Sequence, residues 1–119
     1  MTKMKSRSLV QCGEVWQASL DPIIGHEQGG TRPVMIVSSD QFNQRRHGLC
    51  VVAPITSRIR NNPMHVTLDA PEGGLTVRSV VMCDQLRTVA LDRLEYRRGV
   101  VHATTLVSVR ELIHLVFDI

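Results

Sequence analysis

The apolar residues of this chain fall into short runs, kept apart by loops rich in glycine, proline and polar residues, until the last stretch, where they recur at helical spacing. Residues 13–20 (Gly-Glu-Val-Trp-Gln-Ala-Ser-Leu) alternate loosely, with Trp16, Ala18 and Leu20 on one face, as a half-buried strand does. A polar loop over 21–32, containing Pro22, Gly25, Gly29 and Gly30, leads to a second strand at Pro33–Ser38, an apolar run rich in Val and Ile. Asp40–Gly48 is polar, with room for one helical turn, and Leu49–Ile55 is a third strand. After a polar loop over 56–63 come a short alternating strand, His65–Leu68, and a turn region, Asp69–Gly74. Residues 78–90 read as one long strand, or as two with a bend near Asp84. From Thr104 onward, Leu106, Val109, Leu112, Ile113 and Val116 repeat at helical spacing, with Thr104 or Thr105 available as N-cap.

Five or six short strands followed by one amphipathic helix, with no βαβ alternation and no repeat, predict a mainly β protein. Its sheet should be small and strongly bent, or a partly open barrel closed by the C-terminal helix. A length of 119 residues suits one domain, expected over 11–119 behind a flexible basic tail at 1–10. Aromatics are only 3% of the chain, so Val, Leu, Ile and Met must build a core around Trp16. Leu115–Ile119 carries more apolar residues than one helical stripe needs, which a homodimer would cover.

Several function classes drop out. No run approaches the roughly 20 apolar residues that span a bilayer, and no apolar segment follows the basic Met1–Arg7, so a cytosolic protein is expected. Cys12, Cys50 and Cys83 are odd in number and form no C-x-x-C pair; Cys50 and Cys83 sit in apolar runs and read as small buried hydrophobes. The five histidines are scattered, so no metal site or other cofactor is expected. Phosphate-loop, dinucleotide-fold, zinc-protease and serine-hydrolase motifs are absent, and Gly29-Gly30 is too short to argue a nucleotide cradle.

The charge balance points to a polyanion. Net charge is +3, and twelve of the fourteen basic residues are Arg, whose planar fork matches phosphate oxygens. Arg-rich composition also follows from a GC-rich genome, so the sites matter more than the total. Three segments could carry chemistry. The loop at 25–33 places Glu27, Gln28 and Arg32 among flexible glycines, directly before a hydrophobic strand; an intra-loop salt bridge explains Glu27 and Arg32 equally well. Thr56, Ser57 and Arg58 at a strand terminus suit a phosphate, and equally an ordinary capped turn. Gln85 and Arg87 share one face of an alternating strand, lining either a groove or a solvated surface.

Together these segments resemble a known family. Gly13-Glu14-Val15-Trp16, Asp21-Pro22 and Gly25-x-Glu27-Gln28-Gly29-Gly30-x-Arg32-Pro33-Val34 are similar to the opening of the MazF/PemK (Kid-like) toxin endoribonucleases. The likeness continues through Val52-x-Pro54-Ile55-Thr56-Ser57 and Ser79-Val80-Val81-Met82-x-Asp84-Gln85-Leu86-Arg87-Thr88, in the family's order. The resemblance implies an SH3-like barrel, a homodimer, cleavage of single-stranded RNA at short sequence motifs, and inhibition by a cognate antitoxin whose acidic, flexible C-terminal segment fills the RNA groove. It implies catalytic roles for Arg32 and Thr56, and for Glu27, whose role varies among members.

RNA supplies its own nucleophile, the ribose 2′-OH. Arg32 would stabilise charge on the phosphorane-like transition state, Thr56 would hold the phosphate, and Glu27 would accept the proton, with His26 a candidate donor. Base recognition would fall to Gln28, Asn43, Ser57, Arg58, Gln85 and Arg87, helped by Arg45, Arg46 and Arg60, with Phe42 available to stack. Two other classes remain open: a gyrase-poisoning inhibitor on a similar barrel, and a plain RNA-binding module.

Overall fold

The computed structural model describes residues 10–21 and 30–118. In chain order the elements are β1 (Glu14–Ser19), β2 (Thr31–Ile36), α1 (Asp40–Asn43), β3 (Leu49–Thr56), β4 (His65–Leu68), β5 (Ser79–Met82), β6 (Arg87–Ala90), β7 (Leu94–Val100) and α2 (Ala103–Phe117). Short 3-10 turns lie at Glu72–Gly74 and Leu91–Arg93.

All strand pairings are antiparallel, in the order β4-β5-β3-β2-β1-β7. β3 is the hub: β2 pairs along one edge, while β6 and then β5 share the other, so the sheet curls into a partly open barrel. This sharing is why residues 78–90 form two strands and not one. β5 pairs with the end of β3 and β6 with its beginning, and the chain turns between them, with Gln85 N–H donating to the Met82 carbonyl at 3.2 Å.

Adjacent residues of the central strands enter different cores. Trp16, Val34 and Val52 belong to an inner cluster with Val10, Leu20, Val89 and Leu94. Val15, Met35 and Ala53 belong to a second cluster, against which Leu106, Val109, Leu112 and Ile113 of α2 pack. The central strands are therefore covered on both faces, which is the physical reason they read as apolar runs without strict alternation. Cys50 and Cys83 are fully buried, and burial pushes their thiols up to about 12 and about 11, the Asp84 charge adding to the second.

The structure departs from expectation at three places. β7 completes a set of seven strands among the described residues; of its seven residues only Leu94 is buried, so no apolar pattern announces it. Its conformation follows from pairing with β1, which aligns Glu14 with Val100 and Ala18 with Leu94. The N-cap of α2 is His102, not Thr104 or Thr105, and the capping group comes from far away in sequence. Glu72 Oε2 accepts the His102 N–H at 2.9 Å and the Thr105 hydroxyl at 2.5 Å, setting a carboxylate at the helix N-terminus where the macrodipole favours it. Val10, expected in the basic tail, is fully buried in the inner cluster, while residues 1–9 lie outside the described ones.

Candidate functional site

The register of β2 on β3 pairs Val34 with Pro54 and Ile36 with Val52. Continued by two residues, it sets Arg32 opposite Thr56, on the face that Val34, Ile36 and Val52 turn into the inner core. Where that core ends, the two polar side chains border a cavity of about 500 Å³. The loop after β3 adds Arg58, Arg60 and Asn62; β4 adds His65; Met82 and Gln85 close the far side.

The chemistry of this cavity is that of an anion site. Burial lowers the pKa of the Arg32 guanidinium below its ordinary value, yet arginine stays cationic throughout the physiological range. Partial burial also shields Arg32 from solvent, which strengthens its hold on an anion. Thr56 Oγ1 accepts the Arg58 N–H at 3.1 Å, a local turn that orients the hydroxyl and leaves its proton to donate. Among the described residues, no carboxylate forms an ion pair with Arg58 or Arg60, so their charge faces the cavity uncompensated.

His65 adds a group that can move protons. Its side chain is 8% exposed, its Nε2 stands 3.7 Å from Asp84 Oδ1, and its buried Nδ1 has no hydrogen-bond partner among the described residues. A buried polar atom left unpartnered costs about 1–3 kcal/mol, the kind of strain found at functional sites. Among the described residues no group of three or more His, Cys, Asp and Glu is placed to hold a metal ion.

Arg32, Thr56, Arg58 and Gln85, all anticipated as site residues, therefore meet at one cavity. Ser57 lies on an adjoining cavity that also borders Arg32 and Thr56. Glu27 and Gln28, with His26, lie outside the described residues. Asn43 and Arg87 are placed elsewhere. Asn43 is fully buried in α1, where its Oδ1 accepts the Ser38 hydroxyl and its Nδ2 donates to the Ser38 carbonyl at 3.1 Å. Both ends of its amide serve the fold, so it cannot read a base. Arg87 Nη1 donates to the Leu20 carbonyl at 2.6 Å, and its side chain borders an apolar groove with Ile113 and Phe117. The turn before β6 sends Gln85 and Arg87 to different surfaces. Phe42 packs on His47, ring centroids 4.7 Å apart, beside α1.

Sequence reasoning missed His65 and Asn62. Their only local signal was a histidine opening a short alternating strand after Asn62-Pro63; proximity to Asp84 depends on β4 pairing with β5, which aligns His65 with Met82.

Residues 11–117 match the family model for the PemK-like, MazF-like toxin of type II toxin–antitoxin systems. The chain is similar to Endoribonuclease EndoA of Bacillus subtilis, 40% identical over 88 residues that cover 72% of this chain and 75% of that protein. It is similar to Endoribonuclease MazF9 of Mycobacterium tuberculosis, 34% identical across 93% of this chain and 98% of the relative. Among solved structures, MazF of Deinococcus radiodurans superposes with a TM-score of 0.81 at 30% identity, covering 92% of this chain and 97% of its own. A MazE–MazF structure from the same organism gives 0.77, again at 30% identity, over 92% and 96% of the two chains.

Proposed function

The chain belongs to the PemK-like, MazF-like toxins of type II toxin–antitoxin systems, and from that premise we propose that it cuts single-stranded RNA at the Arg32–Thr56 cavity, with the ribose 2′-OH as nucleophile. That it is an endoribonuclease of such a system follows from its relatives. The observation that carries the assignment of the site is the cavity itself, which Arg32 of β2 and Thr56 of β3 border together with two arginines that have no acidic partners among the described residues.

The reaction follows from these groups. The 2′-oxygen attacks the adjacent phosphorus, the bond to the 5′-oxygen breaks, and the products are a 2′,3′-cyclic phosphate and a 5′-hydroxyl. Negative charge grows on the non-bridging oxygens, where Arg32 donates two parallel N–H bonds, the electrostatic role of largest weight in such reactions. Thr56 donates its hydroxyl to the same phosphate and holds it in line. One group must take the 2′-OH proton and another must give one to the leaving oxygen. His65, oriented by Asp84, serves in one of these roles, and Glu27, implied by the family resemblance, serves in the other. Arg58 and Arg60 hold flanking phosphates, and Asn62, Gln85 and Gln28 offer amides to base edges. No step calls for a metal, because the substrate brings its own nucleophile.

A mixed single-stranded RNA incubated with the protein in EDTA tests this, beside the same strand carrying 2′-deoxy sugars at every cut. Cutting that disappears with the deoxy sugars is the expected result. Cutting of the deoxy strand would overturn 2′-OH attack. RNA bound but left whole would point to a binding module, and trapped DNA cleavage with intact RNA to a gyrase inhibitor.

The solved MazE–MazF structure pairs a relative with its antitoxin. For this chain, the partner expected is a cognate antitoxin whose acidic, flexible C-terminal segment pairs with Arg32, Arg58 and Arg60 and keeps RNA out. The end of α2 exposes Leu115, Val116 and Phe117, a surface that a homodimer would cover. A sedimentation mass of two chains at micromolar concentration is expected; a mass of one chain removes the dimer. No helix among the described residues is long and apolar enough to cross a membrane, and an enzyme acting on messenger RNA works in the cytoplasm.

A further inference from the structure

Arg32 and Thr56 border two cavities: beside the one already described, a second of about 300 Å³ is lined by both. We propose that this second cavity binds the nucleotide across the scissile phosphate from His65, and that Arg98 in its wall binds the next phosphate along the RNA. The inference rests on the reading that Arg32 and Thr56 hold the scissile phosphate, and adds a direction and a second anchoring point to it.

Three observations carry it. A phosphate held by Arg32 and Thr56 has a nucleotide on each side, and those two residues border two cavities. The second cavity sets one apolar side chain, the 55% exposed Val77, among the hydroxyls of Thr31, Ser57 and Thr76 and the Arg98 guanidinium. An exposed apolar side chain beside several hydrogen-bonding groups suits a nucleobase, whose faces are apolar and whose edges hydrogen-bond. Ser79 already donates to the Val77 carbonyl at 3.0 Å, so Ser57 is a hydroxyl left to read a base edge.

The third observation is the state of Arg98. Its Nη1 donates to Gln17 Oε1 at 3.1 Å and its Nη2 to the Gly74 carbonyl at 3.3 Å, both neutral acceptors. Among the described residues no carboxylate pairs with it. The guanidinium is thus held in place with its charge uncompensated and N–H donors to spare, which suits an anion that arrives with the substrate. The anchor is rigid. Gly74 has φ +71°, and a Cβ there would overlap the Arg98 carbonyl, so the Glu72–Gly74 turn packs backbone to backbone on β7. A Cβ on Gly99 would likewise come within 2.7 Å of Gly73 and Gly74 backbone atoms.

The test uses RNA oligonucleotides built around the cut site that sequencing of the products reveals. One is full length, one begins at the nucleotide 5′ of the cut, and one stops at the nucleotide 3′ of it, so both shortened strands keep the scissile phosphate. For Arg98→Ala, KM on the full-length strand should rise about tenfold with kcat unchanged, as expected for loss of one phosphate contact. The penalty should persist on one shortened strand and vanish on the other, which lacks the phosphate that Arg98 binds. Val77→Glu, at an exposed position that leaves the core intact, should show the same one-sided penalty through charge repulsion, and serves if Arg98→Ala misfolds. An unchanged KM in well-folded variants, or an equal penalty on all three strands, would overturn the subsite while leaving the Arg32–Thr56 site standing. Failure of the unaltered protein to cut any of the RNAs would overturn the underlying function as well.

Discussion

Arg32→Ala is expected to lower kcat for RNA cleavage about 100- to 1000-fold, the cost of removing one transition-state donor, while the variant melts within a few degrees of the unaltered protein. The stem of Arg32 leaves the sheet where the inner core ends, so truncating it opens no internal cavity. Arg32→Lys should recover little, because a point charge cannot donate two parallel bonds to one phosphate. Thr56→Ala should cost less, since one neutral hydrogen bond contributes less than a charged pair. His65→Gln should fall between them, about 100-fold, the low end for positioned acid–base groups. The measurement is single-turnover cleavage of one defined RNA, with thermal melting of each variant alongside. Full activity in both Arg32→Ala and Thr56→Ala would remove the site from this cavity.

Trp16→Ala should instead act on folding, costing about 3–5 kcal/mol. Trp16 is 6% exposed in the inner cluster, and its Nε1–H donates to Glu14 Oε1 at 3.0 Å. Glu14 is itself 5% exposed and also accepts from Gln11 N–H at 2.8 Å and Arg97 Nε–H at 2.8 Å. Removing the indole leaves a void beneath the barrel wall and takes one donor from a buried carboxylate, and each loss is destabilising. The Arg97 partner is half exposed, so the ion pair adds little and the hydrogen bonds carry the effect. At about 4 °C per kcal/mol for a domain of this size, the melting temperature should fall by roughly 12–20 °C. Trp16 does not border the Arg32 cavity, so the folded fraction should cut RNA normally. A melting temperature equal to that of the unaltered protein would show that the indole is not a core group.

Much of this was legible in the sequence wherever a local pattern has one physical meaning. The apolar runs at 33–38 and 49–55 became β2 and β3 because a strand covered on both faces needs apolar residues in succession. The 3.6-residue repeat after Thr104 became α2 because one stripe of it packs on the sheet. The motif residues Arg32, Thr56, Arg58 and Gln85, whose side chains carry the donors a phosphate or a base edge needs, border one cavity.

What stayed hidden depended on contacts between distant segments. β7 shows no periodicity because β1 holds it through backbone hydrogen bonds, and most of its side chains face solvent. The cap of α2 is Glu72, thirty residues before the His102 amide it accepts, and no local spacing encodes that bond. Asn43 and Arg87 have the chemistry of RNA contacts, but Ser38 and the Leu20 carbonyl claim them first. His65 gains its partner Asp84 only when β4 pairs with β5. The sequence by itself determined which segments bury their side chains and which residues bring donors suited to a phosphate, since both follow from residue type and short-range period. Strand register decided which of those residues share a cavity, because a shift of one residue turns a side chain to the opposite face, and only the tertiary pairing of β2, β3, β4 and β5 sets that register.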